Sequence, residues 1–251
     1  NSRISFIDIS EKDTIGADNL KQRKEILLKV QPDSYKNIVV IKPWGHEYLI
    51  FENNLVAIWF LYIRKGFSTS MHCHPRKKTS LIVLSGNAMS NTFEQRSYLR
   101  GCDAVIIEKG VFHSTKALSD EGACLLEIET PPDKTDLVRL EDRYGRASSG
   151  YEGITEMQAH NLKDFDYFYF KEADSYRKQS HVNDRFNVVF EVFPNNEEFQ
   201  EYFKIDEEAL YAPCRGRLFD KDGNVVLNTG NTQKAGVLSN AEGMYVSGKT
   251  V

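Results

Sequence analysis

Short apolar runs rich in β-branched and aromatic residues begin at Asn37 and recur as far as Glu129. They read NIVVIKPWG, HEYLIF, LVAIWFLYI, SLIVLS, AVIIE and ACLLEIE, with Gly, Asn, Asp and Pro standing between them. Bounded runs of this kind at regular intervals predict an all-β sandwich or barrel. The residues before them, 1–36, are mostly polar. There ADNLKQRKEILLKV sets Leu20, Ile26, Leu27 and Val30 at roughly helical spacing, with Asp18 or Asn19 as a cap and Pro32 beyond the end, which predicts one lead-in helix. The β block closes at PPDKTDLVRLEDRYGR. Pro131 and Pro132 stop a strand there, and KTDLVRLED is expected to make a short helical turn.

The pattern changes again from about Ala147. ASSGYEG reads as a linker, and NLKDFDYFYF as a strand or an aromatic packing segment. NNEEFQEYFKIDEEAL reads as a helix capped by Asn195 or Asn196, with Glu197 and Glu198 in its first turn. GRLFDKDGNVVL predicts a hairpin turning on Asp222-Gly223. The expected organisation is a helical lead-in over 1–36, a β-barrel over 37–146, and a smaller α+β region over 147–251 with room for a degenerate second β-sandwich. The fold class is mainly β.

Composition narrows the function classes. With 41% hydrophobic and 12% aromatic residues the chain can fill a core and is not a disordered segment. Its 32 basic and 36 acidic residues give a net charge of −4, which argues against a general nucleic-acid binder, although local basic clusters can still hold a small anion. No apolar run reaches the roughly 18 residues of a membrane span, and no signal peptide pattern is visible. Cys73, Cys102, Cys124 and Cys214 form no CxxC pair, so reduced thiols and a cytoplasmic setting are expected. The chain starts at Asn1 and stops inside a β-like run, MYVSGKTV, so a fragment with flanking domains is expected.

The candidate chemistry lies in GFSTSMHCHPRKKTSLIVLSG. On a strand, residues i and i+2 share a face, so His72 and His74 project together and Cys73 points away. Two imidazoles on one rigid face can bind a divalent metal if a third ligand converges on them. His113, in DAVIIEKGVFHSTKA, is the candidate: a strand, a turn at Lys109-Gly110, and a return strand opened by the histidine. His46, His160 and His181 have no partner at useful spacing and read as surface or core residues. Trp44 and Trp59 read as core, and Gly66, Gly86, Gly101 and Gly110 as turn residues at strand boundaries.

These two motifs resemble those of the cupin superfamily, small jelly-roll β-barrels. Gly66, His72, His74 and Gly86 match the first cupin motif. Gly101, Glu108-Lys109-Gly110 and His113 match the second, with Glu108 where proline is usual. Over about Val40 to Arg146 the strings KPWGHEYLIF, MHCHPRKKTSLIVLSGNA, VIIEKGVFH and DLVRLEDRYGR look like the C-terminal cupin domain of type II phosphomannose isomerases, which are often fused to a mannose-1-phosphate guanylyltransferase. HPRK is similar to the sequence around a zinc-binding histidine in type I phosphomannose isomerases. The last hundred residues do not match that family. The resemblance implies a cupin double-stranded β-helix, and His72, His74 and His113 as metal ligands. The family's metal-binding glutamate falls near Thr79, where this chain has Lys77, Lys78 and Thr79, so three histidines with open positions are expected.

The resemblance further implies metal-dependent aldose–ketose isomerase or epimerase chemistry on a phosphorylated or nucleotide-linked sugar, of the mannose-6-phosphate isomerase kind, in surface-polysaccharide metabolism. The cofactor expected is a divalent metal, zinc first, with manganese and iron as alternatives. Such a reaction needs a Lewis acid on adjacent oxygens, an acid/base group and a grip on phosphate. Arg76 and Lys77 are the candidates for the grip. Lys78 and Lys116 are the candidates for proton transfer, and Arg146, closing EDRYGR, serves the active site in the isomerases the chain resembles. Lys77 reads equally as a solvated loop tip, and EDRYGR as a structural ion-pair segment. Two other functions stay open: a non-catalytic sugar-binding or regulatory module, and a three-histidine Fe(II) dioxygenase. The partners expected are the small-molecule sugar and a second copy in a homodimer, with no nucleic acid and no membrane.

Overall fold

The computed structural model describes residues 3–21, 29–141, 143–146, 150–157, 161–173, 177–220, 222–238 and 245–246. In chain order the first elements are β1 (Ile4–Ile7), α1 (Glu11–Lys21), β2 (Val39–Lys42), β3 (Gly45–Glu52), β4 (Ala57–Ile63), β5 (Met71–Cys73) and β6 (Lys78–Ser85). They continue as β7 (Ala88–Thr92), β8 (Arg96–Leu99), β9 (Ala104–Ile107), β10 (His113–Ala117), β11 (Ala123–Thr130) and β12 (Val138–Glu141). These strands make two sheets. One runs β1-β9-β6-β11-β4-β3-β2 and the other β12-β5-β10-β7-β8. Every pairing is antiparallel except β1 with β9. Neighbours in each sheet are mostly distant in sequence. The result is a mainly β double-stranded β-helix of two facing sheets.

The apolar runs are continuous rather than alternating because the seven-stranded sheet is buried on both faces. Trp59, Leu61, Ile63, Leu81, Val83 and Leu125 point into the barrel with Trp44 and Leu49. The residues between them, including Phe60, Ile82, Leu126 and Ile128, point out and meet Phe168, Phe170, Phe186 and Phe190 from the C-terminal part. Burying both faces removes apolar surface from water, the dominant favourable term in folding.

Three expected elements form differently, one being the helix expected over NNEEFQEYFKIDEEAL, which stops at Tyr202, with Leu210 in a strand. The lead-in helix spans Glu11–Lys21, upstream of the expected start. Its start is set by a local capping box. The Asp13 carboxylate accepts from the Ser10 amide (2.9 Å) and hydroxyl (2.6 Å), and the Ser10 hydroxyl accepts from the Asp13 amide (3.3 Å). Ile26 and Leu27 lie outside the described residues. DLVRLED is not a helical turn: Val138–Glu141 is strand, because it pairs with the HxH strand β5, Arg139 opposite His72. NLKDFDYFYF is a packing segment, a 3₁₀ turn over Leu162–Phe165 followed by Phe168 and Phe170 against the barrel.

Downstream lie β13 (Lys178–Val182) and β14 (Asn187–Glu191), a hairpin, then α2 (Asn196–Tyr202), capped by Asn195. β15 (Leu210–Tyr211) follows. The hairpin turning on Asp222-Gly223 joins β16 (Leu218–Phe219) to β17 (Val225–Leu227). No helix among the described residues is long and apolar enough to cross a membrane.

Candidate metal centre

β5 and β10 are adjacent in the five-stranded sheet, and His113 lies directly opposite His72. The three imidazoles converge, with ring centroids 4.9 Å apart for His72–His74, 4.5 Å for His72–His113 and 5.3 Å for His74–His113. One nitrogen from each lies within 4.8 Å of the other two. The turn before β10 is fixed by Gly110, whose positive φ of 78° suits glycine and whose amide donates to the His74 carbonyl (2.9 Å). The loop after His74 is held by Asp136, which accepts the amides of Arg76 (2.8 Å) and Lys77 (3.0 Å).

All three rings are tethered by the same nitrogen. Nδ1 of His72 faces the Ser70 carbonyl at 2.8 Å, that of His74 the Asp136 carbonyl at 2.6 Å, and that of His113 the Val111 carbonyl at 2.9 Å. A carbonyl only accepts, so each Nδ1 carries a proton and each Nε2 is the nitrogen turned toward the centre. This is the arrangement that orients a metal-binding histidine. Burial, then the neighbouring imidazoles, hold His72 well below the usual histidine range and His113 at about 4, so both are neutral near pH 7.

His74 Nε2 is buried with no hydrogen-bond partner, and 3.8 Å from it lies Oε1 of Glu127, also buried. A buried imidazole nitrogen facing a carboxylate is favourable with a cation between or beside them, which can be a proton, the Lys134 ammonium or a metal ion. The donor set of three imidazoles and a nearby carboxylate suits a divalent metal.

The cavity beside the histidines measures about 590 Å³ counting its open mouth. Besides the histidines it is lined by Lys42, Glu47, Lys77, Glu127, Glu129, Lys134, Arg139, Arg146 and Tyr151, most of them buried. Lys134 is the hub. Its ammonium is 3.2 Å from Glu47, 3.3 Å from Glu129 and 4.0 Å from Glu127, and stands 3.7 Å from the centre of the Trp59 ring. Burial pulls the Lys134 pKa down, but the three carboxylates outweigh it and raise it above the usual lysine range.

The expected site residues divide. Lys77 is not a solvated loop tip. It is 1% exposed, lines the cavity, and pairs with Glu129 at 2.8 Å while donating to the Asp133 carbonyl at 2.9 Å. Arg146 also lines the cavity and pairs with Glu152 at 2.6 Å. Arg76 does not enter it: the side chain is 68% exposed and pairs with Asp133 and Asp136. Lys78 and Lys116, expected to transfer protons, are displaced from the cavity by strand alternation. On β6, Leu81 and Val83 are inside, so Lys78 faces outward and donates to Asn231. On β10, His113 and Thr115 line the cavity, so Lys116 turns the other way. His46 sits in an aromatic stack with Tyr48 and Phe165, His181 pairs with Asp166, and His160 lies outside the described residues.

Sequence reasoning missed Glu127, Glu129, Lys134 and Glu47. Thr79, where the resemblance would place a glutamate, is buried, and Glu129 stands directly across from it on β11. The carboxylates of this cavity therefore come from other strands. The alternation Leu125, Glu127, Glu129 in CLLEIET is the trace they leave in the sequence.

No protein-family model matches the chain, and no curated protein matches it. Among solved structures it is similar to KdgF from Halomonas sp., at 13% identity over 42% of this chain and 96% of that one, TM-score 0.37. It is also similar to the capsular polysaccharide assembling protein CapF from Staphylococcus aureus, at 17% identity over 42% and 34%, TM-score 0.38. A third is oxalate decarboxylase from Lactobacillus farciminis, at 17% identity over 41% and 33%, TM-score 0.38. The chain spans about a third of the length of the latter two.

Proposed function

We propose that this chain is a divalent-metal-dependent sugar isomerase or epimerase, acting on a phosphorylated or nucleotide-linked sugar in the manner of mannose-6-phosphate isomerase. One observation carries the reading: three imidazoles tethered through Nδ1 turn their free Nε2 atoms toward one point beside a buried carboxylate. His72, His74 and His113 would hold the ion, zinc first, with manganese or iron as alternatives. When bound, it supplies Lewis-acid polarisation of adjacent substrate oxygens.

The remaining chemistry belongs to the chain's own residues. Glu127, next to His74 and 4.0 Å from the Lys134 ammonium, would move the proton between neighbouring carbons. Arg146, the most exposed of the cavity cations at 17% of its side chain and paired with Glu152, would meet the phosphate.

The test has two steps. Elemental analysis of the purified chain is expected to show zinc, manganese or iron, and the metal-loaded chain to exchange a carbon-bound proton of a hexose or pentose phosphate or a nucleotide sugar in deuterated water. Metal binding without exchange on any of these would defeat the isomerase reading. It would leave the non-catalytic sugar-binding module, which is favoured by the carboxylate partners of Lys42, Lys77 and Lys134. Copurified iron with oxygen uptake would favour the dioxygenase.

A further inference from the structure

The segment preceding the barrel reaches the metal centre through a single turn. Residues Glu108–Phe112 join β9 to His113, and the lead-in holds this turn at three points. The Glu108 amide donates to the Ile7 carbonyl at 3.0 Å, continuing the β1–β9 pairing in which Ile7 lies opposite Ile107. Ile9 covers Gly110 so closely that a Cβ on that glycine would lie 3.1 Å from the isoleucine Cδ1. The Phe112 amide donates to Oδ1 of Asp13 at 2.7 Å. Asp13 is 2% exposed, and its other oxygen is already engaged by Ser10, so one carboxylate both starts α1 and fixes the residue before His113. α1 lies tight against the same residue: a Cβ on Gly16 would be 3.2 Å from the Phe112 ring.

A buried backbone N–H must be paired, and pairing with an ionised carboxylate is stronger than pairing with a neutral acceptor. The register of Phe112 sets where the His113 ring starts, and that ring's own tether is the carbonyl of Val111, inside the same turn. We infer that Asp13 is a positioning residue for His113, and that the lead-in is a working part of the metal centre rather than a separate appendage. This rests on the metal-binding reading above. Asp13 acts through the Phe112 amide and touches neither ligand atom nor substrate.

The test compares three full-length chains, wild type, Asp13→Ala and Ser10→Ala, for Co²⁺ and Zn²⁺ affinity by chelator competition, and for the Co²⁺ visible absorption spectrum. Ser10→Ala weakens the start of α1 and leaves the Asp13–Phe112 bond in place, so it reports helix destabilisation alone. Asp13→Ala is expected to lose about tenfold or more in affinity, the usual effect of removing a group that orients a ligand, and to change the Co²⁺ spectrum. Ser10→Ala is expected to keep the wild-type spectrum and affinity. Wild-type affinity in Asp13→Ala, or an equal loss in Ser10→Ala, overturns the inference. If Asp13→Ala does not fold, amide hydrogen exchange on the wild-type chain decides: Phe112 is expected to be strongly protected, and exchange as fast as an exposed loop overturns the assignment. A wild-type chain that binds no metal defeats the metal-binding reading instead, and the Phe112 exchange still reports on the bond.

Discussion

Lys77 shows what a single side chain does in this cavity. Its ammonium and the Glu129 carboxylate are each 1% exposed and 2.8 Å apart. Removing one partner of such a pair leaves an uncompensated buried charge, which typically costs 3–5 kcal/mol. Lys134 remains 3.3 Å from Glu129, so Lys77→Met is expected at the low end, about 3 kcal/mol in urea unfolding. Adding Glu129→Gln should recover more than half of that, because the stranded charge is gone. A double variant no more stable than Lys77→Met would place the cost in lost packing of the lysine stem instead. The same residue shows the limit of reading a loop from its charges. PRKK looks solvent-facing, and only the position of Glu129 on a strand far away in sequence reveals that one of its lysines is buried. The histidines were legible because strand alternation and the return turn are local facts. Lys116 fails by the same alternation that makes His72 and His74 work: counting by twos from His113 reaches Thr115 and leaves it out.

At the scale of elements, the six apolar runs between Asn37 and Glu129 were readable as strands, whereas β1 in the polar lead-in and the β13–β14 hairpin were passed over. β12 was not readable either, since its strand character comes from pairing with β5 rather than from its own composition. The lead-in helix starts earlier than its apolar spacing indicates, because the capping box at Ser10 and Asp13 sets its first turn. One glycine makes a close contact between the C-terminal segment and the barrel. Gly230 has φ of 76°, and a Cβ there would lie 1.9 Å from Oγ1 of Thr130 on β11. Its carbonyl accepts from the Ser80 hydroxyl at 2.6 Å and its amide donates to the Pro213 carbonyl at 2.9 Å. Gly230→Ala therefore combines a disfavoured backbone with a steric clash, together about 2 kcal/mol or more. The expected result is faster limited proteolysis between residues 209 and 238, with cleavage inside the barrel unchanged. Thr130→Ala in the same chain should restore part of the resistance by removing Oγ1. Uniform acceleration across the whole chain would mean that the barrel and this segment unfold as one unit.

For the whole molecule, the two sheets are joined by charge as well as by the apolar core. Glu152 receives the Lys42 ammonium from β2 on the seven-stranded sheet. It also faces Arg139 of β12, on the five-stranded sheet, at 3.5 Å, and pairs with Arg146 at 2.6 Å. Burial disfavours its ionised form, but Lys42 and Arg139 outweigh that and lower its pKa from 4.5 to about 2. A carboxyl depressed in the folded state contributes stability that is fully present above its unfolded pKa and is lost as pH falls through the folded one. The window runs from about pH 4.5 down to about pH 2, and the shift corresponds to at most about 3 kcal/mol. Urea midpoints measured between pH 5 and pH 2.5 should therefore fall more steeply for the wild type than for Glu152→Gln, which has no charge to lose. At neutral pH the variant should be the less stable of the two, since Lys42 and Arg139 would keep their charges without the carboxylate between them. Parallel pH profiles for the two chains would show that the sheets are held by apolar packing alone and that the buried charges beside the histidines serve only the site.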